Sequence, residues 1–216
     1  PSSSSPYGED CRACWTVPED YRLVGIDASG LELRMLAHYL NDEGYTNEIL
    51  NGDIHTANQR LADLESRDQA KTFIYALLYG AGDAKLGSVV GRGRAHGKGL
   101  RQRFFDNLPS FKKLTDRVQR EAKSGFIKAL DGRKLTVRSE HAALNTLLQG
   151  AGAIVMKKAL IILDETIRTN NWDAKFVANV HDEWQIECHV YDAVDVGKAG
   201  VEAIIQAGIE LNLNCP

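Results

Sequence analysis

No stretch of this sequence stays apolar for anything near the ~20 residues that a membrane-crossing helix needs. The N-terminus has no charged-then-apolar leader either, so the expectation is a protein of the cytoplasm. Cysteine is scarce. Cys11 and Cys14 have the spacing of half a zinc site, but neither Cys188 nor Cys215 belongs to a second pair at a matching interval. The four are read as reduced, incidental thiols. Internal repeats are absent, and net charge is small, at −3. What remains is an ordinary globular composition: 216 residues, 44% hydrophobic and 25% charged, enough for one large domain or two modest ones. The chain begins at Pro1 with Ser2 to Ser5 behind it, which reads as the edge of a longer polypeptide or an artificial boundary.

The small net charge conceals an uneven distribution. Between Ala84 and Arg138 there are 15 Lys and Arg against 4 Asp and Glu, so the rest of the chain is strongly acidic. A basic block on an acidic body suits phosphate binding with counterion release. The same run also describes a solvated charged face, and charge alone does not choose between them.

Residues 1–20 show no sustained period. Leu23-Val24-Gly25-Ile26 reads as a strand ending at Asp27. After Ser29-Gly30, a helix follows, with Leu31, Met35, Leu36, Tyr39 and Leu40 at helical spacing. A loop is expected around Asn51-Gly52-Asp53. Arg67 to Tyr79 contains no Gly or Pro and stops at Gly80, as a helix does. Residues 83–103, rich in Gly, Arg and Lys, are expected to be mobile; a helical pattern returns over 104–124 with a break near Pro109. Asp131-Gly132 marks a hairpin turn. A long helix is predicted from about Ala142 to Arg168, then strands at Phe176 to Val180 and Trp184 to Cys188 flanking His181-Asp182-Glu183. A last helix is predicted from Tyr191 to Gln206.

Chemistry enters at three places. Asp27 ends a strand and Asp182 sits in a tight turn between strands, so both can project a carboxylate over a sheet end. Two such carboxylates can hold a pair of Mg²⁺ ions ~4 Å apart for in-line phosphoryl chemistry. Either one alone is an ordinary turn-former. Arg67, Lys71 and Tyr75 recur at i, i+4 and i+8 on one helix face. A guanidinium, an ammonium and a phenol in line suit a triphosphate with a sugar beside it, though the spacing equally describes a solvated amphipathic helix. Asn145 and Gln149 form a polar i, i+4 pair in an otherwise apolar helix. They need partners, which are either structural or the base edges of a minor groove.

Taken together these segments resemble DNA polymerase family A, in the wording of the T-odd phage replicative enzymes. Asp27-Ala-Ser-Gly-Leu-Glu32-Leu-Arg34 is similar to the first polymerase motif. Arg67-Asp-Gln-Ala-Lys71-Thr-Phe-Ile-Tyr75-Ala-Leu-Leu-Tyr79-Gly80 is similar to the second, and His181-Asp182-Glu183 to the third. Gly52-Asp-Ile-His55-Thr and His141-Ala-Ala-Leu-Asn145-Thr-Leu-Leu-Gln149 match two further blocks. The likeness runs from Ser5 to about Cys215. The implied fold is α+β: a palm with an antiparallel sheet over 1–44 and 141–216, and helical fingers over 45–140.

The resemblance implies roles residue by residue. Asp27 and Asp182 would be ligands of two Mg²⁺ ions, with the Ala28 carbonyl assisting and Glu183 close by. Arg67, Lys71 and His55 would hold the triphosphate, Lys71 protonating the leaving pyrophosphate. Tyr75 and Glu32 would bracket the sugar, Glu32 filling the space of a 2′-hydroxyl. Tyr79 would stand at the templating base. Arg12, Asn145 and Gln149 would track the minor groove, and His181 would approach the primer end. Primer–template DNA and dNTP are the implied partners, and closure of the Arg67–Tyr79 helix over a correct pair the implied selection step. The family's thumb and exonuclease-like segments fall outside these residues. The thioredoxin-docking segment of some phage relatives lies in that thumb, so no processivity partner is carried over. Other readings are a phage-type RNA polymerase, a catalytically idle DNA-binding module and a two-metal nuclease. Glu32 and the Arg67–Tyr75 wording favour dNTP, the Asp27/Asp182 pair argues against a decayed site, and a nuclease leaves the triphosphate helix without a purpose.

Overall fold

The computed structural model describes residues 5–215; Pro1 to Ser4, which carry most of the Ser run read as a chain edge, lie outside the described residues, as does Pro216. In chain order the elements are α1 (Gly8–Ala13), β1 (Tyr21–Asp27), α2 (Leu31–Leu40), α3 (Glu43–Asn51), α4 (Ile54–Ala62), α5 (Arg67–Leu78), α6 (Asp83–Ser88) and α7 (Arg94–Asn107). There follow α8 (Pro109–Ala122), β2 (Phe126–Lys128), β3 (Lys134–Thr136), α9 (Ala143–Thr169), β4 (Ala174–Val180), β5 (Glu183–His189) and α10 (Ala193–Glu210). The chain divides into two compact units. One comprises Pro1–Ser29 with Met156–Ala207, the other Gly30–Val155 with Gly208–Pro216. The mixture of helices with antiparallel sheets makes the fold α+β, as the sequence led us to expect.

The first unit is built on a three-stranded antiparallel sheet in the order β1-β5-β4. Strand periodicity shows most clearly on β5. Trp184, Ile186 and Cys188 are buried while Glu183, Gln185 and Glu187 between them are not, because successive side chains leave opposite faces. Trp184 is fully buried and meets Phe176 edge-on, with ring centroids 6.1 Å apart. Register on the other side of β5 shifts at a bulge between Phe176 and Ala178.

The second unit is helical apart from the β2–β3 hairpin. Its core is aromatic. Phe104 of α7 contacts Phe73 of α5 and Phe111 of α8 edge-on, at 5.7 and 5.3 Å, and all three are buried. Pro109 opens α8 at a position where a missing N–H costs nothing, which explains the break between α7 and α8.

Four expectations need correction. Residues 83–103 are not a mobile segment but α6 and the first part of α7. Gly87 and Gly97 make this possible: a Cβ on Gly97 would collide with the Asp83 carbonyl oxygen, and one on Gly87 with that of Gly93. Glycine here marks close backbone approach rather than looseness. The region around Asn51-Gly52-Asp53 is a junction between two helices, α3 and α4, capped by Asp42 and Asp53. Residues 1–20, read as irregular, include the short helix α1. Lastly, the helix over Glu140–Thr169 is long and apolar enough, by length and composition, to cross a membrane. Asn145, Gln149 and the pair Lys157-Lys158 interrupt any continuous apolar run, which hides this from a search for runs. Its apolar residues recur as a buried stripe, Leu144, Leu147, Leu148, Ala151, Val155, Ala159 and Leu163, as on a core helix.

Candidate functional site

The candidate residues fall into two groups, one in each unit. In the sheet unit, β1 and β5 pair so that Asp27 lies opposite Glu183. One step beyond, the Ala28 N–H donates to the Asp182 carbonyl oxygen at 3.0 Å. Asp182 and its neighbour His181 form a two-residue turn closed by the Val180–Glu183 pair, and His181 takes the positive φ of 58° that such a turn favours at its first position. Backbone pairing alone thus fixes Asp27, Ala28 and Asp182 beside one another. The electrostatics are those of crowding. Burial, then the charges of Asp182 and Glu183, raise the Asp27 carboxyl above its ordinary value. Glu183 also accepts a hydrogen bond from the Gln185 side-chain amide. His181 itself is exposed, and Arg12 is exposed in the last turn of α1.

Among the described residues no cluster of three or more His, Cys, Asp or Glu is arranged to hold a metal ion. All four cysteines are free, Cys11 and Cys14 exposed, Cys188 and Cys215 buried. A closed protein cage is not what Mg²⁺ requires, since it binds through one or two carboxylates with water and substrate phosphates completing the shell. The donor set fits an ion of that kind, because backbone pairing fixes Asp27 and Asp182 beside one another.

In the helical unit, α5 starts at the Ser66 cap, whose hydroxyl accepts from the Gln69 N–H at 3.2 Å. Ala70, Phe73, Ile74, Leu77 and Leu78 are buried, which leaves Arg67 and Lys71 exposed and Tyr75 half-buried on the opposite stripe. His55, in the first turn of α4, joins that stripe: its ring centroid is 6.3 Å from that of Tyr75. Burial, then Arg67, lower the His55 pKa; Asp53 opposes this and Lys71 adds to it, so the imidazole is neutral at pH 7. The His55 Nδ1 is buried with no partner among the described residues.

Tyr79, just past α5, is exposed, and its hydroxyl accepts from the Gln149 amide of α9 at 3.3 Å. Next to it, Gly80 has φ 75° and runs against the His141 carbonyl, where a Cβ has no room. Asn145 is half-buried one turn before Gln149, and Glu32 is half-buried in the first turn of α2.

Sequence reasoning missed Asp53. Its carboxylate grips Arg67 through Nε at 2.6 Å and Nη2 at 3.2 Å, and also caps α4 by accepting from the His55 N–H at 3.1 Å. The Asp-x-x-Thr start of α4 signalled the cap; the partner 14 residues further on left no local signal. Also missed was a buried polar contact, Tyr45 donating to Asn58 Oδ1 at 3.2 Å, with both residues buried.

Part of the basic block has structural employment. Arg101 donates to the Ala81 carbonyl at 2.7 Å and pairs with Asp83 at 2.8 Å, and Arg103 pairs with Asp63 at 3.2 Å. Arg92, Arg94 and Lys98 are exposed.

Comparison with known proteins gives the family and the fold. The family model for DNA polymerase family A matches residues 2–216. The DNA-directed DNA polymerases of Enterobacteria phage T3 and Escherichia phage T7 are each 43% identical over 248 residues, covering 100% of this chain and 35% of theirs. The chain therefore spans about a third of the length of these curated relatives. In fold it is similar to the POL domain of Pol1 from M. smegmatis, solved in complex with DNA primer-template and dNTP. The TM-score is 0.85 at 24% identity, covering 94% of this chain and 40% of that one. The chain belongs to DNA polymerase family A.

Proposed function

We propose that this chain is the catalytic part of a DNA-directed DNA polymerase, transferring nucleotides from dNTP to a primer 3′-hydroxyl under direction of a template during phage replication in the host cytoplasm. The observation that carries the reading is the Asp27 corner: strand register and one backbone hydrogen bond fix Asp27 beside Asp182, and burial, then the charges of Asp182 and Glu183, raise the Asp27 pKa. Asp27, Asp182 and the Ala28 carbonyl would hold two Mg²⁺ ions, which when bound acidify the primer hydroxyl and neutralise charge on the triphosphate.

The remaining work falls to this chain's own groups. Arg67 and Lys71 bind the triphosphate, and neutral His55 donates a hydrogen bond to it. Lys71 delivers the proton to departing pyrophosphate. Tyr75 and Glu32 define the sugar pocket, and Tyr79 the place of the templating base. Asn145, Gln149 and Arg12 contact the minor groove, where every base pair offers an acceptor, and His181 approaches the primer terminus. In these terms residues 1–44 and 141–216 act as palm and 45–140 as fingers. Primer extension by the full-length protein tests the proposal. We expect Mg²⁺-dependent addition of dNTP, abolished by chelator, with rNTP used at least ~100-fold less well because Glu32 occupies the 2′ position. Equal use of rNTP would favour an RNA polymerase and overturn the assignment of Glu32.

A further inference from the structure

Asp53 accepts four hydrogen bonds. Its Oδ1 takes the His55 N–H at 3.1 Å and Arg67 Nη2 at 3.2 Å, and its Oδ2 takes the Thr56 hydroxyl at 2.8 Å and Arg67 Nε at 2.6 Å. A carboxylate offers about four acceptor sites, so this one is saturated. Arg67 first, then Thr56, hold its pKa well below the usual carboxylate range, and it stays charged throughout the working pH range. The ion pair is exposed on both sides, at 52% and 40%, and a pair so placed contributes little to stability. Its value must be sought in orientation.

We infer that Asp53 is the positioning residue of the triphosphate cradle: a fixed post that orients the Arg67 guanidinium for the incoming nucleotide. This rests on the reading of Arg67 as a triphosphate contact. Asp53 occupies Nε–H and one N–H of Nη2, which leaves both N–H groups of Nη1 and the second of Nη2 for phosphate oxygens. A free arginine would lose much rotamer freedom on gripping a phosphate; a clasped one has lost it already, and pre-ordering of this kind improves affinity. The same carboxylate starts α4 and so sets His55, whose imidazole feels both Arg67 and Lys71. One anionic side chain thereby aligns two of the three phosphate-facing groups.

The opposite reading is a latch, in which Asp53 competes with the triphosphate for Arg67 and must let go. The four bonds argue against it, because release of Arg67 by rotation of Asp53 also forfeits the cap of α4 and the Thr56 bond.

The two readings predict opposite signs. Asp53→Asn and Asp53→Ser both retain a side chain able to cap α4, so the fold is kept and unchanged melting temperatures verify it. In steady-state primer extension by the full-length protein, each variant is expected to raise the dNTP KM by ~10-fold with kcat changed by less than ~3-fold. In an Arg67→Ala background, itself raised in KM, Asp53→Asn should add nothing. A KM that is unchanged or lower in Asp53→Asn, while Arg67→Ala raises it, overturns the inference and leaves the triphosphate reading standing. An equal further rise in the Arg67→Ala background overturns it too, since the effect would then not pass through Arg67. If Arg67→Ala leaves KM unchanged, the triphosphate reading itself fails and the post has nothing to position.

Discussion

At the end of β1, Asp27 stands among carboxylates and its pKa is raised; at the start of α5, Arg67 is clasped by Asp53, whose pKa is lowered. The first corner is held by backbone: strand register, a two-residue turn and one N–H to carbonyl bond. The second is held by side chains on two helices, through a bidentate ion pair and a cap. The difference reflects what each part has to tolerate. Carboxylates held in one small region repel one another, and a backbone ladder can fix them there without side-chain partners. Arg67 keeps N–H donors to spare after pairing with Asp53, and helix side chains suffice to hold it so.

The comparison breaks first if the carboxylates prove dispensable. Asp182→Asn keeps the size and turn propensity of Asp182 while removing its charge, and should lower nucleotide addition by ~10³-fold or more while leaving primer–template binding nearly intact. A variant retaining more than about a tenth of wild-type turnover would remove Asp182 from the metal site.

The next effect tests the helix side. Tyr75 is half-buried beside His55. If Tyr75 lines the sugar pocket as proposed, a nucleotide lacking its 3′-hydroxyl leaves a polar deficit there, worth ~1–3 kcal/mol, which the Tyr75 hydroxyl can fill. Tyr75→Phe should therefore lower dideoxynucleotide use by ~100-fold while barely altering dNTP addition. Equal discrimination by both proteins would place Tyr75 outside the sugar pocket.

The two regions also differ in how far the sequence discloses them. Asp27 and Asp182 are legible because strand ends and tight turns are local: alternation around Trp184 and Ile186 and the apolar run at Leu23–Ile26 announce both elements. The Arg67 stripe is legible from helical spacing. What is not legible is the company Arg67 keeps, since an ion pair joining two helices has no period. Glycines mislead for a related reason. Gly87 and Gly97 read as looseness along the chain, whereas they serve a backbone contact that only the folded chain reveals. Composition does not separate the exposed members of the basic block from Arg101 and Arg103, which hold backbone carbonyls and Asp side chains.

That separation sharpens a smaller prediction. Neutralising Arg92, Arg94 and Lys98, the exposed members, should weaken DNA binding regardless of sequence and reduce the log–log salt slope by about one unit for each phosphate left without its cationic partner. An unchanged slope would show that these three face no phosphate.

Carboxyl-resolved NMR titration with and without Mg²⁺ separates the proposed cation site at Asp27 from the charge pair already formed at Asp53. Asp27, raised in the folded state, favours folding below the unfolded carboxylate pKa of ~3.9 and loses that contribution as pH rises through its folded value. Asp53, lowered, contributes above ~3.9 and loses its contribution only as pH falls through its depressed value. Asp27 is expected to titrate above its ordinary value without Mg²⁺ and to drop when the ion is added, while Asp53 titrates well below its own and does not respond. An Asp27 indifferent to Mg²⁺, or an Asp53 that follows it, would overturn the contrast between the two corners.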